Sequence, residues 1–128
     1  MDTGDLILMR VLIVDDSPTE MHILSNMMEK LGHAVITAEN GEQGVITAKD
    51  TKPDLILMDV VMPGINGFQA TRQLHKSEDT KDIPVIIVST KDQATDKMWG
   101  RRQGAKGYVT KPVEEAELLE AINKILHG

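Results

Sequence analysis

Short apolar runs that alternate with stretches of helical spacing constrain this chain more than any other feature. MRVLIV (residues 9–14), DLILM (54–58), PVIIVS (84–89) and GYVT (Gly107–Thr110) read as strands apolar on both faces, and AVITA (Ala34–Ala38) as a weaker one. Such strands need cover on both sides, and helices interposed between them leave each beside a parallel neighbour. The expected fold class is therefore α/β, a parallel sheet with helices on both faces.

Helix signals fill the intervals. Ser17, Pro18 and Glu20 form an S-x-x-E capping box with proline in the first turn, Gly32 marks the end, and Leu24, Met27, Met28 and Leu31 fall on one face. The last helix opens on Glu114 and Glu115, closes near Lys124 and His127 in the sense the helix dipole favours, and buries Leu118, Leu119, Ile122 and Ile125. Two further helices are expected near 41–50 and 67–76. The segment KDQATDKMWGRRQG has the poorest apolar stripe, and Gly100 within it costs about 1 kcal/mol relative to alanine; it is expected to be the least firmly held helix. Met21, Met27 and Met28 read as core filler. His22, His33, His75 and His127 show no ligand spacing and are expected at the surface.

The 128 residues suit one domain, placed at 9–128, with 1–8 read as an extension that is either foreign to the native chain or disordered. The absence of cysteine removes disulfides and thiolate metal sites, and a net charge of −6 disfavours sequence-independent nucleic-acid binding. Without a long apolar run or a secretory signal, the expectation is a cytoplasmic protein that does not enter membranes.

In a parallel sheet all strands end at one edge, where ligands bind at the point of reversal in strand order. Asp15 and Asp16 follow the first strand, Asp59 the third, Ser89 and Thr90 the fourth, and Lys111 and Pro112 the fifth. Carboxylates crowded on one rim repel one another, and a hard divalent cation relieves the repulsion. Oxygen donors alone point to Mg2+, which prefers to share its shell with phosphate. Lys111 and Ser89 offer a cation and a hydroxyl to phosphoryl oxygens, and Asp59 is the natural nucleophile for an acyl phosphate.

IVDDSP, LILMDVVMPGINGF, VIIVST and GYVTKP, in this order and spacing, resemble the receiver domain of two-component response regulators over essentially residues 10–126. The resemblance implies a flavodoxin-like (βα)5 fold with a five-stranded sheet of order 2-1-3-4-5. It implies phosphorylation of Asp59 by a phosphohistidine donor, on a histidine kinase or phosphotransfer domain, assisted by Lys111 and Ser89. Mg2+ would be held by Asp16, Asp59 and the backbone carbonyl of Val61, with Asp15 acting through water. Ser89 and Tyr108 would form the switch, and Lys111 would precede a cis Pro112. The stretch STKDQATDKMWGRRQGAKGYVTKPV is similar to the stand-alone receivers of chemosensory systems that control type IV pili and twitching motility.

The chain ends after the fifth helix, so the expected output is a phosphorylation-dependent contact between a monomer and a protein target. The candidate face is that of the fourth helix, fifth strand and fifth helix, carrying Lys97, Trp99, Arg101 and Tyr108, with Arg102 and Lys106 in the same basic island. The expected role is a phospho-acceptor that assists its own phosphorylation and dephosphorylation rather than an enzyme. A phosphate sink for another receiver is an alternative. An aspartyl-phosphate phosphatase would want an acid two residues after the nucleophile, where this chain has Val61. A flavin carrier would want a phosphate-cradling loop where Asp15 and Asp16 stand.

Overall fold

The structure, a computed structural model, describes residues 8–127. The expected extension therefore lies, but for Leu8, outside the described residues. Five strands, β1 (Arg10–Val14), β2 (Ala34–Ala38), β3 (Leu55–Met58), β4 (Val85–Ser89) and β5 (Gly107–Thr110), alternate with α1 (Pro18–Lys30), α2 (Gly41–Thr51), α3 (Gly67–Lys76), α4 (Ala94–Arg102) and α5 (Glu115–His127). All pairings are parallel and the order is β2-β1-β3-β4-β5, the α/β sheet that the alternation implied. The order reverses at β1, with β2 on one side of it and β3 on the other, and the ends of β1 and β3 face the same crevice.

The period of two in each strand divides the core. Val11 and Ile13 of β1 join Leu57, Val88 and Val109 beneath Leu24 and Met28 of α1 and Leu118 and Ile122 of α5. Leu12 and Val14 turn to the other face and pack with Ile56, Met58, Ala48 of α2 and Leu74 of α3. These strand residues are almost wholly inaccessible, each side chain contributing roughly 1.5–3 kcal/mol by leaving water. A third, smaller cluster of Val60, Phe68, Ile87 and Ala105, with Tyr108 against it, lies under α4. Met21 and Met27 are partly buried against the first cluster, and Met28 is fully within it.

Two expectations need correction. His33 is not a free surface residue, because its Nδ1 accepts the N–H of Met9 at 3.0 Å and tethers the entry to β1. Partial burial disfavours its charged form and holds its pKa below the usual value. The capping box of α1 closes on one side only: Ser17 Oγ accepts from Glu20 N–H at 3.3 Å, but Ser17 N–H donates to Asp15 Oδ1 at 2.9 Å. Glu20 is thereby released toward the rim.

The helix best fastened at its start is α3. Asn66 accepts from Gln69 N–H at 2.9 Å and Gln69 Oε1 accepts from Asn66 N–H at 2.8 Å, a complete reciprocal cap. Gly67 N–H then donates to the carbonyl of Val60 at 2.9 Å. A Cβ on Gly67 would run into the carbonyl oxygen of Asp59 and lie 2.9 Å from Val60 Cα, so α3 begins directly on the backbone of the rim. Because the obstacle is backbone, Gly67→Ala is expected to lower stability by about 1–3 kcal/mol. Urea unfolding tests this, and an unchanged midpoint would contradict it.

Candidate functional site

Backbone pairing brings the acids together. Asp15 N–H donates to Ala38 O at 3.1 Å and Asp59 N–H to Val14 O at 2.9 Å, so each acid is pinned where its strand ends. One carboxylate oxygen from each of Asp15, Asp16 and Asp59 lies within 4.8 Å of the others. Asp15 and Asp59 are buried, whereas Asp16 is exposed at the mouth. Lys111 enters from the end of β5, across a cis Lys111–Pro112 peptide, and its Nζ donates to Asp15 Oδ2 at 3.0 Å and Asp59 Oδ1 at 3.3 Å.

Asp59 Oδ1 also accepts the N–H of Val60 at 2.9 Å. Both bonds fall on Oδ1, which leaves Oδ2 the less encumbered oxygen. Burial, followed by the charge of Asp15, pushes the Asp59 carboxyl up to about 6, against the opposing pull of Lys111 and the Val60 bond. Burial alone would lower the Lys111 ammonium, but its bond to Asp15 and the charges of Asp59 and Asp15 outweigh it and hold the pKa above the usual value. The lysine therefore stays charged, and its one ammonium bridges Asp15 and Asp59 in a group of three carboxylates that Asp16 completes.

Ser89, fully buried at the end of β4, sits on the same rim. Its Oγ accepts the N–H of Lys91 at 3.1 Å, and the Lys91 carbonyl accepts the hydroxyl of Tyr108 at 2.7 Å. Ser89 and Tyr108 are thus joined through the backbone of Lys91, one on its N–H and the other on its carbonyl. Val61 lies on the β3–α3 loop with 61% of its surface exposed, and Lys91 is also exposed. On α4, Trp99 and Arg101 are exposed, Lys97 is half-buried and Met98 adds a further exposed apolar side chain.

One site residue was missed in the sequence. The Glu20 carboxylate comes within 3.9 Å of Lys111 Nζ, a third acid around the same ammonium after Asp15 and Asp59. The signal was the aspartate at position 15, which competes for the N–H that a closed capping box would give to Glu20.

Among the described residues no helix is long and apolar enough to cross a membrane. Protein PilH of Pseudomonas aeruginosa is 65% identical to the chain over 119 residues, which span 93% of this chain and 98% of that protein. The CheX–CheY–BeF3–Mg2+ complex from Borrelia burgdorferi aligns with a TM-score of 0.90 at 26% identity, over 100% of this chain and 96% of that one. The receiver domain of a Pseudomonas aeruginosa sensor histidine kinase, with a magnesium ion coordinated in the active site cleft, aligns with a TM-score of 0.86 at 27% identity, over 95% and 100% of the two chains. The response regulator receiver domain family matches residues 11–123. Acids converging at the switch point of a 2-1-3-4-5 sheet, a lysine across them and a family match along nearly all of the chain lead to one conclusion: this chain belongs to the response regulator receiver domain family.

Proposed function

We propose that the protein accepts a phosphoryl group on Asp59 from a phosphohistidine and then changes a protein contact, as a stand-alone receiver in chemosensory control of type IV pili and twitching motility. The observation that carries the chemistry is the Lys111 ammonium spanning Asp15 and Asp59 at the β1–β3 crevice. The similarity to PilH along almost all of that protein supports the pathway.

In the proposed reaction Asp59 Oδ2 attacks phosphorus, the phosphorus–nitrogen bond of the donor breaks, and its electron pair returns to the imidazole. Lys111 turns from Asp59 to a phosphoryl oxygen, and Ser89 donates its hydroxyl to another. The oxygen-only donors of Asp15, Asp16 and Asp59, close together and short of positive charge, fit a hard divalent cation. Asp16, Asp59 and the Val61 carbonyl would hold Mg2+, with Asp15 acting through water. The ion would supply the charge that lets an anionic donor approach three acids.

Drawing Ser89 toward the phosphoryl group pulls on the backbone of Lys91 and so on Tyr108, whose ring lies inward against the cluster under α4. The phosphoryl group thereby biases α4 and its outer face of Lys97, Trp99 and Arg101, with Tyr108 at its margin, which is the face we assign to the target.

Intact-mass analysis after incubation with a small acyl phosphate is expected to show one phosphoryl group, absent from Asp59→Asn and from wild type in excess chelator. Modification of either would count against Asp59 as acceptor or against the metal requirement.

The raised Asp59 pKa has a consequence for stability. A carboxyl whose folded pKa is about 6, against an ordinary 3.8, binds its proton more tightly in the fold. Its ionisation therefore costs stability as the pH rises from roughly 4 to 6 and at every pH above. In chelator at neutral pH, Asp59→Asn is expected to be more stable than wild type by on the order of 1–3 kcal/mol. Millimolar Mg2+ should shrink or reverse that gap by binding wild type; urea midpoints that ignore both variables would contradict the charge account.

The lifetime of the phosphorylated state follows from Val61 and Lys91, which we place beside the path of the attacking water. Val61 can neither orient water nor accept its hydrogen bonds, and Lys91 offers only donors. Spontaneous dephosphorylation is expected to be slow, and faster in Val61→Asn and Lys91→Glu once the donor is removed. A rapid wild type that neither substitution changes would sink this reading.

A further inference from the structure

Helix α4 meets the sheet through a glycine. Gly100 is the one buried residue of the helix, and its backbone is ordinary helix without a positive φ. The missing side chain therefore serves close approach and not an unusual conformation. A Cβ here would lie 2.9 Å from Ile87 Cδ1, 3.3 Å from Tyr108 Cδ2 and 3.5 Å from Phe68 Cε1. Ile87 is fully buried and has little room to retreat. The Tyr108 ring is only half-buried, with its hydroxyl on the Lys91 carbonyl at 2.7 Å, so it is the neighbour able to yield.

These contacts complete a chain from the rim to the helix. Ser89 Oγ holds the N–H of Lys91, the carbonyl of Lys91 holds the hydroxyl of Tyr108, and the edge of the Tyr108 ring rests where Gly100 has no side chain. We propose that Gly100 is a positioning residue of the switch: its bare Cα sets the clearance in which Tyr108 sits inward, and so sets how strongly a phosphoryl group on Asp59 is coupled to α4. This rests on the Ser89–Tyr108 reading given above. A methyl group at position 100 takes part of the space of the inward ring. Because coupling is reciprocal, the same methyl weakens whatever binds at Asp59 and favours that ring position.

The test uses beryllofluoride with Mg2+ as the phosphoryl probe, titrated calorimetrically into the full chain. Gly100→Ala is expected to bind the probe about three- to tenfold less tightly than wild type. Tyr108→Ala should weaken it at least as much, and the double variant should bind no worse than Tyr108→Ala alone. Effects that instead multiply would mean that Gly100 acts through general packing, and they overturn the proposal. Unchanged affinity in Gly100→Ala, beside a weakened Tyr108→Ala, overturns it while leaving the switch standing. Full affinity in Tyr108→Ala removes the switch and this inference together. If Gly100→Ala folds poorly, Ile87→Val in the same chain deletes the Cδ1 atom that the methyl meets first and keeps the contact with Tyr108. The loss of affinity is expected to persist there, and its disappearance would assign the effect to Ile87 and refute the role given to the ring.

Discussion

The Lys111 ammonium, closed in between Asp15 and Asp59, is the interaction on which the rest of this structure depends. Its side chain is 9% exposed, and those of its two partners are 0% and 10% exposed. Taking such charges out of water is expensive, and only mutual attraction and well-placed hydrogen bonds offset the loss. Here the offset is incomplete. Asp59 retains a raised pKa although the lysine is in contact with it, because burial and its acidic neighbour outweigh the one cation. The fold thus holds at its rim a group of acids short of positive charge, which is the arrangement a site needs if it is to draw in a divalent cation and then a phosphoryl group.

That arrangement is possible because the sheet around it is rigid. The three central strands, β1, β3 and β4, are buried on both faces, and β1 and β3 fix Asp15 and Asp59 through backbone hydrogen bonds. Helix α3 starts on the carbonyl of Asp59, without space for even a methyl group at Gly67. The backbones of Asp15 and Asp59 therefore cannot move apart to relieve the repulsion between their carboxylates. On the other side of the rim the attachment is lighter. The contacts from Ser89 to α4 run through two hydrogen bonds to the backbone of one loop residue, Lys91, and the edge of one ring, and α4 buries only Gly100. Close approach at a glycine thus differs between the two helices: backbone crowds Gly67, whereas the side chains of Ile87, Tyr108 and Phe68 surround Gly100.

Much of this was legible from residue order. Each strand begins within one residue of its apolar run, because a central parallel strand carries its signal in every position and turn residues bound it sharply. The rim of Asp15, Asp16, Asp59, Ser89 and Lys111 followed from the rule that parallel strands end together. Less legible were the places where one group had two suitors. Ser17 and Glu20 spell a capping box, yet Asp15 takes the N–H that would close it, and Glu20 goes to Lys111 instead. His33 has no partner at any local spacing, yet the β1–β2 pairing sets it against the N–H of Met9. Gly100 read as a simple cost to helix propensity, since nothing local says that Ile87, Phe68 and Tyr108 converge on it.

By itself the sequence determined the kind of sheet, the strands and helices that build it, and the set of side chains delivered to its carboxyl edge. These depend on periodicity and on residues adjacent in the chain. Only the tertiary structure decided which atom of each side chain meets which: that Lys111 bridges Asp15 and Asp59 while also facing Glu20, that Ser89 and Tyr108 both hydrogen-bond to the backbone of Lys91, and that α4 rests on the sheet through a missing side chain. Those choices join residues separated in the chain, by 96 positions for Lys111 and Asp15, 52 for Lys111 and Asp59 and 17 for Tyr108 and Lys91, and no local pattern records which of several partners is nearer.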